Sequence, residues 1–464
     1  MEKKKSTTPG APPSRKSRLG RFLLFVLASL VVAGIILVAL YQVPAIHDRA
    51  YFYVASLRSK IYYFFKPPQE SAFVPSTEST LDLGAISSSP TPTLTQAPSQ
   101  ATPMTAEQAA PATATPEPTL EPTPLPASVQ LQGVIQEYQR FNSCGPANLA
   151  LAMRYWGWVG DQLDIEKVVK PRLEDRNVTI PEMLVYVQNE TSLTGQIRYN
   201  GTVSLLKKFI AAGFPVLIER GYVNRDDGWM GHYGVVDGYD DSVVMGGQYD
   251  NVLGTPGYAG AVHIPDTFNG EVWVTYDSLQ SYWDEFFGTY MVVYPPEREA
   301  EVLAILGPDA DAAVNLENTI AAITGRLETV EKSEKYFTLY SLGELLVMKK
   351  DYANAAAAFD EAFSVYGFLP VDDRPWRMLW YQVGPYEAYY NMGRYEDVVS
   401  LAYKTITDTP QPALPETFLW SGRANVALGN TSTAIFDFQR ALQWHPNWPP
   451  AVEELKALGV DPQS

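Results

Sequence analysis

Cys144 is the only cysteine in 464 residues, and His47, His232, His263 and His445 are the only histidines. Those five side chains bound any thiol–imidazole chemistry the chain can do. Cys144 lies in "RFNSCGPANLALAMRYW", where Gly145 and Pro146 lead into Leu149, Met153 and Trp156 at steps of four and three. Pro just inside such a pattern predicts an amphipathic helix starting at or just before Cys144. The unpaired amides and positive dipole end of a helix start favour a thiolate. A lone cysteine is on average a small buried hydrophobe. In an oxidising compartment, however, one with no possible intramolecular partner is a candidate reactive thiol.

His232 opens "HYGVVDGY", an alternating run that predicts a strand, and "PVLIE" at 215–219 predicts another before it. A histidine at a strand mouth can present its ring to a helix start packed on the sheet, as a nucleophile–base pair requires. "GYDDS" at 238–242 reads as a turn into a further strand. A hairpin centred near residue 241 sets position 250 opposite 232, which makes Asp250 the candidate to orient the ring. A bulge at Gly246-Gly247 would shift that role to Asn251. Asp237 falls on the other strand face, and His263, after the Gly-rich "GTPGYAGA", reads as a loop residue.

Together, "QRFNSCGPANLALAM", "GHYGVVDGYDD" and "YDNVLG" resemble the papain-fold cysteine peptidases related to the bacteriocin-processing (double-glycine leader) peptidases. The resemblance spans residues 130 to 307. It implies an α+β fold with Cys144 as nucleophile, His232 as general base and Asp250 as orienter. It also implies a glutamine ahead of the cysteine in the oxyanion hole. The family commonly sets that glutamine six residues before the cysteine, where this chain has Tyr138. Gln139 is five before and Gln136 eight before; Gln139 is the candidate, because it has less backbone to reposition to reach a developing oxyanion. The bacteriocin-processing members are fused to transporters on the cytoplasmic side. One apolar span and no ATP-binding signature mean that only the fold and the triad carry over.

The elements around this region are expected to form a multidomain chain. Residues 22–41 run without a charge for the length of a bilayer-spanning helix. The run is longer than a signal-peptide core, which favours an uncleaved anchor. The basic tail 1–21 carries a net +6, which leaves −23 on the rest of a chain whose total is −17. The positive-inside rule then places the tail in the cytoplasm and the remainder outside. An acidic outer part argues against nucleic acid as a ligand. The juxtamembrane segment 42–66 mixes aromatics with Arg and Lys and reads as an interfacial helix. Residues 67–127 hold thirteen of the 36 prolines up to Pro126 and read as a Pro/Thr/Ser-rich disordered stalk.

The peptidase-like domain is expected over 128–307 and an all-α domain over 312–460. Tyr352, Ala355, Phe359 and Ala362 step by three, four and three, and Thr431, Ala434, Phe438 and Ala441 repeat those steps. Tyr395, Val398 and Ala402 make a weaker copy, after an insertion near "FLPVDDRPW". The pattern resembles tetratricopeptide repeats, whose stacks bind peptides or partner proteins. A purely structural cap is the plainer alternative. Asp226, Asp227, Asp240 and Asp241 lack the alternation of a calcium loop and read as solvated turns, so no metal or cofactor is expected. The function expected is an anchored, outward-facing cysteine peptidase acting on a peptide or protein. A papain-fold transferase or amidase, or an inactive scaffold, would share the same fold.

Overall fold

A computed structural model describes residues 15–87 apart from 69 and 78, and residues 124–463 apart from 225–227, 248 and 250. It divides into two compact units, Met1–Phe65 and Lys66–Ser464. The first contains α1 (Arg15–Tyr41) and α2 (Pro44–Phe65). Within α1, Leu24–Tyr41 is long and apolar enough to cross a membrane, with a mean hydropathy of 2.8 and none of it buried. Pro44 at the first position of α2 is pre-set for helix, and Tyr53, Phe64 and Phe65 of that helix are exposed.

The second unit opens with α3 (Leu83–Ser87), then β1 (Ser128–Gln130), α4 (Cys144–Tyr155), α5 (Gln162–Val169), α6 (Ile180–Glu190), β2 (Thr194–Arg198) and α7 (Val203–Ala211). β3 (Val216–Asn224), β4 (Gly228–Val236), β5 (Gly238–Val244), β6 (Val252–Leu253), β7 (Ala259–Asp266) and β8 (Gly270–Thr275) follow, then α8 (Tyr276–Asp284) and β9 (Tyr290–Tyr294). These strands form two sheets, ordered β1-β5-β7-β8-β6 and β2-β9-β3-β4. β4 is therefore an edge strand, and the chain leaves it for the other sheet at Asp237. Leu149, Met153, Met183, Leu217, Val235 and Met291 are fully buried where α4 and α6 cover the second sheet.

Two expectations change here. "GYDDS" is no turn but part of β5, which pairs with β1 and β7 and not with β4. Asp240 and Asp241 sit in a strand because other groups satisfy them. Asp240 accepts from Ser242 and Tyr249 at 2.6–2.9 Å, and Asp241 from Lys207 and Tyr276 at 2.6–2.8 Å. His263, expected in a loop, is buried within β7.

The C-terminal region is helical: α9 (Glu299–Leu306), α10 (Ala312–Arg326), α11 (Lys332–Met348), α12 (Tyr352–Phe368), α13 (Gly384–Asn391), α14 (Tyr395–Thr407), α15 (Pro415–Ala427), α16 (Thr431–Trp444) and α17 (Pro449–Ala457). The stepped residues Ala355, Phe359, Ala362, Ala434, Phe438 and Ala441 are all fully buried. One contact recurs in the α11–α12 and α15–α16 pairs. A Cβ on Gly343 would lie 2.5 Å from the Phe359 ring, and one on Gly422 would lie 2.4 Å from the Phe438 ring. Each glycine lets its helix approach an aromatic of the next.

The segment expected to be a free stalk from residue 67 packs against this region as far as Ile86. Phe73 and Ile86 are each 6% exposed, and the Phe73 ring sits 5.1 Å from that of Phe363. The N–H groups of Ser76 and Ser79 donate to Asp397 and Asp360 at 2.8 and 2.9 Å, and Arg394 holds both carboxylates. Carboxylates on α12 and α14 thus satisfy a backbone that has no sheet of its own. The rest of the expected stalk, 88–123, lies outside the described residues.

Candidate active site

Cys144 is the first residue of α4, and Asn142 turns the chain into that helix with a φ of 53°. The Cys144 N–H belongs to the first turn and has no carbonyl within its own helix to bond. One turn on, the buried Asn148 donates through Nδ2 to Cys144 O at 2.9 Å, Tyr233 O at 3.0 Å and Thr267 Oγ1 at 3.1 Å. A single amide therefore ties the cysteine helix to β4 and to the end of β7.

His232 lies in β4, one residue before Tyr233, and is 5% exposed. Its Nε2 donates to Asp266 Oδ2 at 3.0 Å. The Cys144 sulfur is the other side-chain group close enough to raise the charge on the ring, and Nδ1 is the nitrogen left to meet it. Burial alone would lower the pKa of this imidazole. The Asp266 carboxylate and the Cys144 sulfur more than offset that and raise it to about 9.

Asp266, the last residue of β7, is completely buried, and both of its oxygens are engaged. Oδ2 also accepts from Arg220 Nη2 at 3.3 Å. Oδ1 accepts from the N–H groups of Phe268 and Asn269 at 2.9 and 2.8 Å and from Asn269 Nδ2 at 3.2 Å. Desolvation works to raise this carboxyl, but His232, Arg220 and the Asn269 amide hold it well below the usual carboxylate range. Arg220 is itself buried, directly across from His232 in the β3–β4 register.

Of the four residues picked out in the sequence, the structure brings Cys144, His232 and Gln139 into one region. Asp250 lies outside the described residues, and the β4–β5 hairpin that pointed to it does not form. The carboxylate on His232 is Asp266. Gln139 is bonded at both ends of its residue to the neighbour of Asp266: its N–H donates to Thr267 O at 2.8 Å, and its Oε1 accepts from Thr267 Oγ1 at 2.8 Å. Gln136 donates its amino group to Asp266 O at 3.2 Å, whereas Gln139 engages Thr267 through oxygen and keeps its amino group as a donor. Tyr138 is largely exposed.

Asp266, Arg220, Asn148 and Thr267 were not picked out in the sequence. Only Asp266 had a local signal. "IPDTFNG" is an aspartate ahead of a Phe-Asn-Gly turn, the pattern in which a side chain caps N–H groups two and three residues on.

Residues 124–286 match the family model described as Peptidase_C39 like family. A solved C39-like peptidase of Bacillus anthracis is similar over 36% of this chain and 97% of its own, at 14% identity and a TM-score of 0.27. No curated protein matches the chain.

Proposed function

We propose that this chain, whose residues 124–286 match the C39-like peptidase family model, is a membrane-anchored cysteine peptidase that cleaves a peptide or protein outside the cytoplasm. The observation that carries the reading is the buried His232 ring, paired with the Asp266 carboxylate at 3.0 Å and close enough to Cys144, at the start of α4, for the sulfur to act on its charge. Asp266 fixes the tautomer and orientation of the imidazole, as the third member of a triad does. At neutral pH a ring with a pKa near 9 carries its proton. It therefore serves as the acid for the leaving amine once the Cys144 sulfur has attacked the amide carbonyl. The resulting neutral imidazole takes a proton from the water that hydrolyses the acyl-enzyme, and the ring returns to its starting state. The Cys144 N–H and the Gln139 amino group are the donors for the oxyanion formed on the way.

Leu24–Tyr41 supplies the anchor, and the basic residues ahead of it favour a cytoplasmic N-terminus. The helical region acts as tetratricopeptide-like repeats that hold a protein partner or substrate. The test is to give the full chain, in vesicles, a peptide library. Hydrolysis with a transient acyl adduct on Cys144, detected by mass spectrometry and absent in Cys144→Ala, supports the reading. A wild-type protein that forms neither product nor adduct overturns it.

A further inference from the structure

The stretch "FLPVDDRPWRMLWYQ", residues 368 to 382, interrupts the helical pairs and has no part in the chemistry above. Its first half is largely exposed, with Phe368 and Val371 in solvent, and its second half, from Pro375, turns inward. That half lies against β4 beside the catalytic histidine. Arg377 Nη1 donates to Trp229 O at 2.9 Å, and the Arg176 guanidinium stacks 4.8 Å above the Trp380 ring. Tyr381, just after the 3-10 turn Met378–Trp380, packs edge-on against Trp229 and Phe286 with centroids 6.0 and 6.1 Å away.

Strand geometry locates this ring. Alternate residues of β4 share a face, so Gly231 and Tyr233 are neighbours on one side, about 7 Å apart. Tyr233 lies beneath the start of α4, where a Cβ on Gly145 would touch its ring at 3.5 Å. The next position on that face is Gly231, and a Cβ there would lie 2.9 Å from Tyr381 Cγ. Cross-strand from it, Gly221 lies under the Glu285 carboxylate and Trp229, so Gly231 alone makes the floor under the Tyr381 and Phe286 rings. Tyr381 therefore stands beside the helix that begins with Cys144, on the same face and over an edge strand. The phenol also meets the Gly231 backbone, and the nearby Cys144 sulfur contributes to holding it above its ordinary pKa, after burial as the main cause.

We propose that Tyr381, delivered by the insertion in the helical region, is a wall of the catalytic cleft and determines the size of the group that can stand beside the Cys144 thiol. This rests on Cys144 being the nucleophile, but wall and nucleophile fail in different ways. The only substrate contact assigned is steric: the ring fills space a bulky side chain would need, and Gly231 beneath it has no side chain to fill that space in its place.

The experiment uses the full chain, whose single cysteine makes labelling unambiguous. Rates of Cys144 alkylation are compared for iodoacetamide and N-benzyl iodoacetamide in wild type, Tyr381→Leu, Tyr381→Ala and Tyr381→Phe. We expect Tyr381→Leu and Tyr381→Ala to speed the benzyl reagent by about tenfold, the scale of a pocket discriminating by size. Iodoacetamide should change by less than about twofold, and Tyr381→Phe should behave as wild type. Tyr381→Leu keeps the apolar packing if Tyr381→Ala does not fold. An unchanged ratio between the two reagents in a folded variant overturns the proposal, as does an equal rise for both. Failure of the peptidase reading shows elsewhere, as an alkylation rate that His232→Gln leaves untouched whatever the size ratio.

Discussion

Two buried histidine–aspartate pairs lie along β4, β5 and β7, and only one of them faces a thiol. In the first, His232 meets Asp266 at 3.0 Å; in the second, His263 Nδ1 meets Asp237 Oδ1 at 2.7 Å. Burial and distance are similar, yet the two carboxyls shift in opposite directions. Asp237 is raised, because desolvation outweighs what His263 returns to it. Asp266 is lowered, because Arg220 and the amides after it add to His232. A short His–Asp contact is therefore not by itself a catalytic signature. What sets the first pair apart is a carboxylate kept ionised by a buried guanidinium and backbone donors, with a cysteine at a helix start on the far side of the ring. The second pair, beside the Trp273 ring at 5.0 Å, joins β7 to the crossover at Asp237.

The contrast can be broken most sharply at the rings. His232→Ala and Cys144→Ala should each lower turnover by about 10⁶-fold, with the double variant little worse, because the two act as a unit. His263→Gln should leave turnover near wild type. The carboxylates come next. Asp266→Asn should cost about 10⁴-fold in kcat by losing the correct tautomer, as in other triads, while Asp237→Asn should leave kcat unchanged.

Stability separates the pairs by a smaller margin. Asp266→Ala strands the buried Arg220 and should cost about 3–5 kcal/mol in urea denaturation of the Lys66–Ser464 unit. Asp237→Ala removes one hydrogen-bond partner from the buried His263 ring and should cost about 1–3 kcal/mol. The smallest effect is the pH dependence. His232 is raised from 6.5 to about 9, so its contribution is complete below pH 6.5 and is lost as pH rises through 9. Wild-type stability should fall across that window, and Asp266→Asn should flatten the fall.

The same contrast marks what the sequence could reveal. Cys144 and His232 were legible because each sits in a local pattern, a Pro-led helix start and an alternating strand. Their carboxylate was not, because it depends on which strands pair. "GYDDS" has turn composition, but Lys207, Tyr276 and Tyr249, distant in sequence or beyond the strand, satisfy its acids and let it run as β5. With β5 in the other sheet, the neighbour of His232 comes from the end of β7. Segment 71–87 reads as unfolded by composition, yet Phe73 and Ile86 find sites on the helical region and Asp360 and Asp397 meet its amides. The helical periodicity carried its own signal, because the small and aromatic residues inside each pattern, Ala355, Phe359, Ala362, Ala434, Phe438 and Ala441, are buried. The insertion after α12 was visible as an interruption, but nothing local said that it reaches β4.

The most direct measurement is the pH profile of Cys144 alkylation by iodoacetamide, which needs no substrate. If the thiol is governed by His232 and Asp266, the wild-type profile carries an inflection near pH 9 from the ring. That inflection should move to lower pH in Asp266→Asn and stay in place in Asp237→Asn. A profile identical in all three proteins, or one shifted by Asp237→Asn instead, would contradict a Cys144–His232–Asp266 unit.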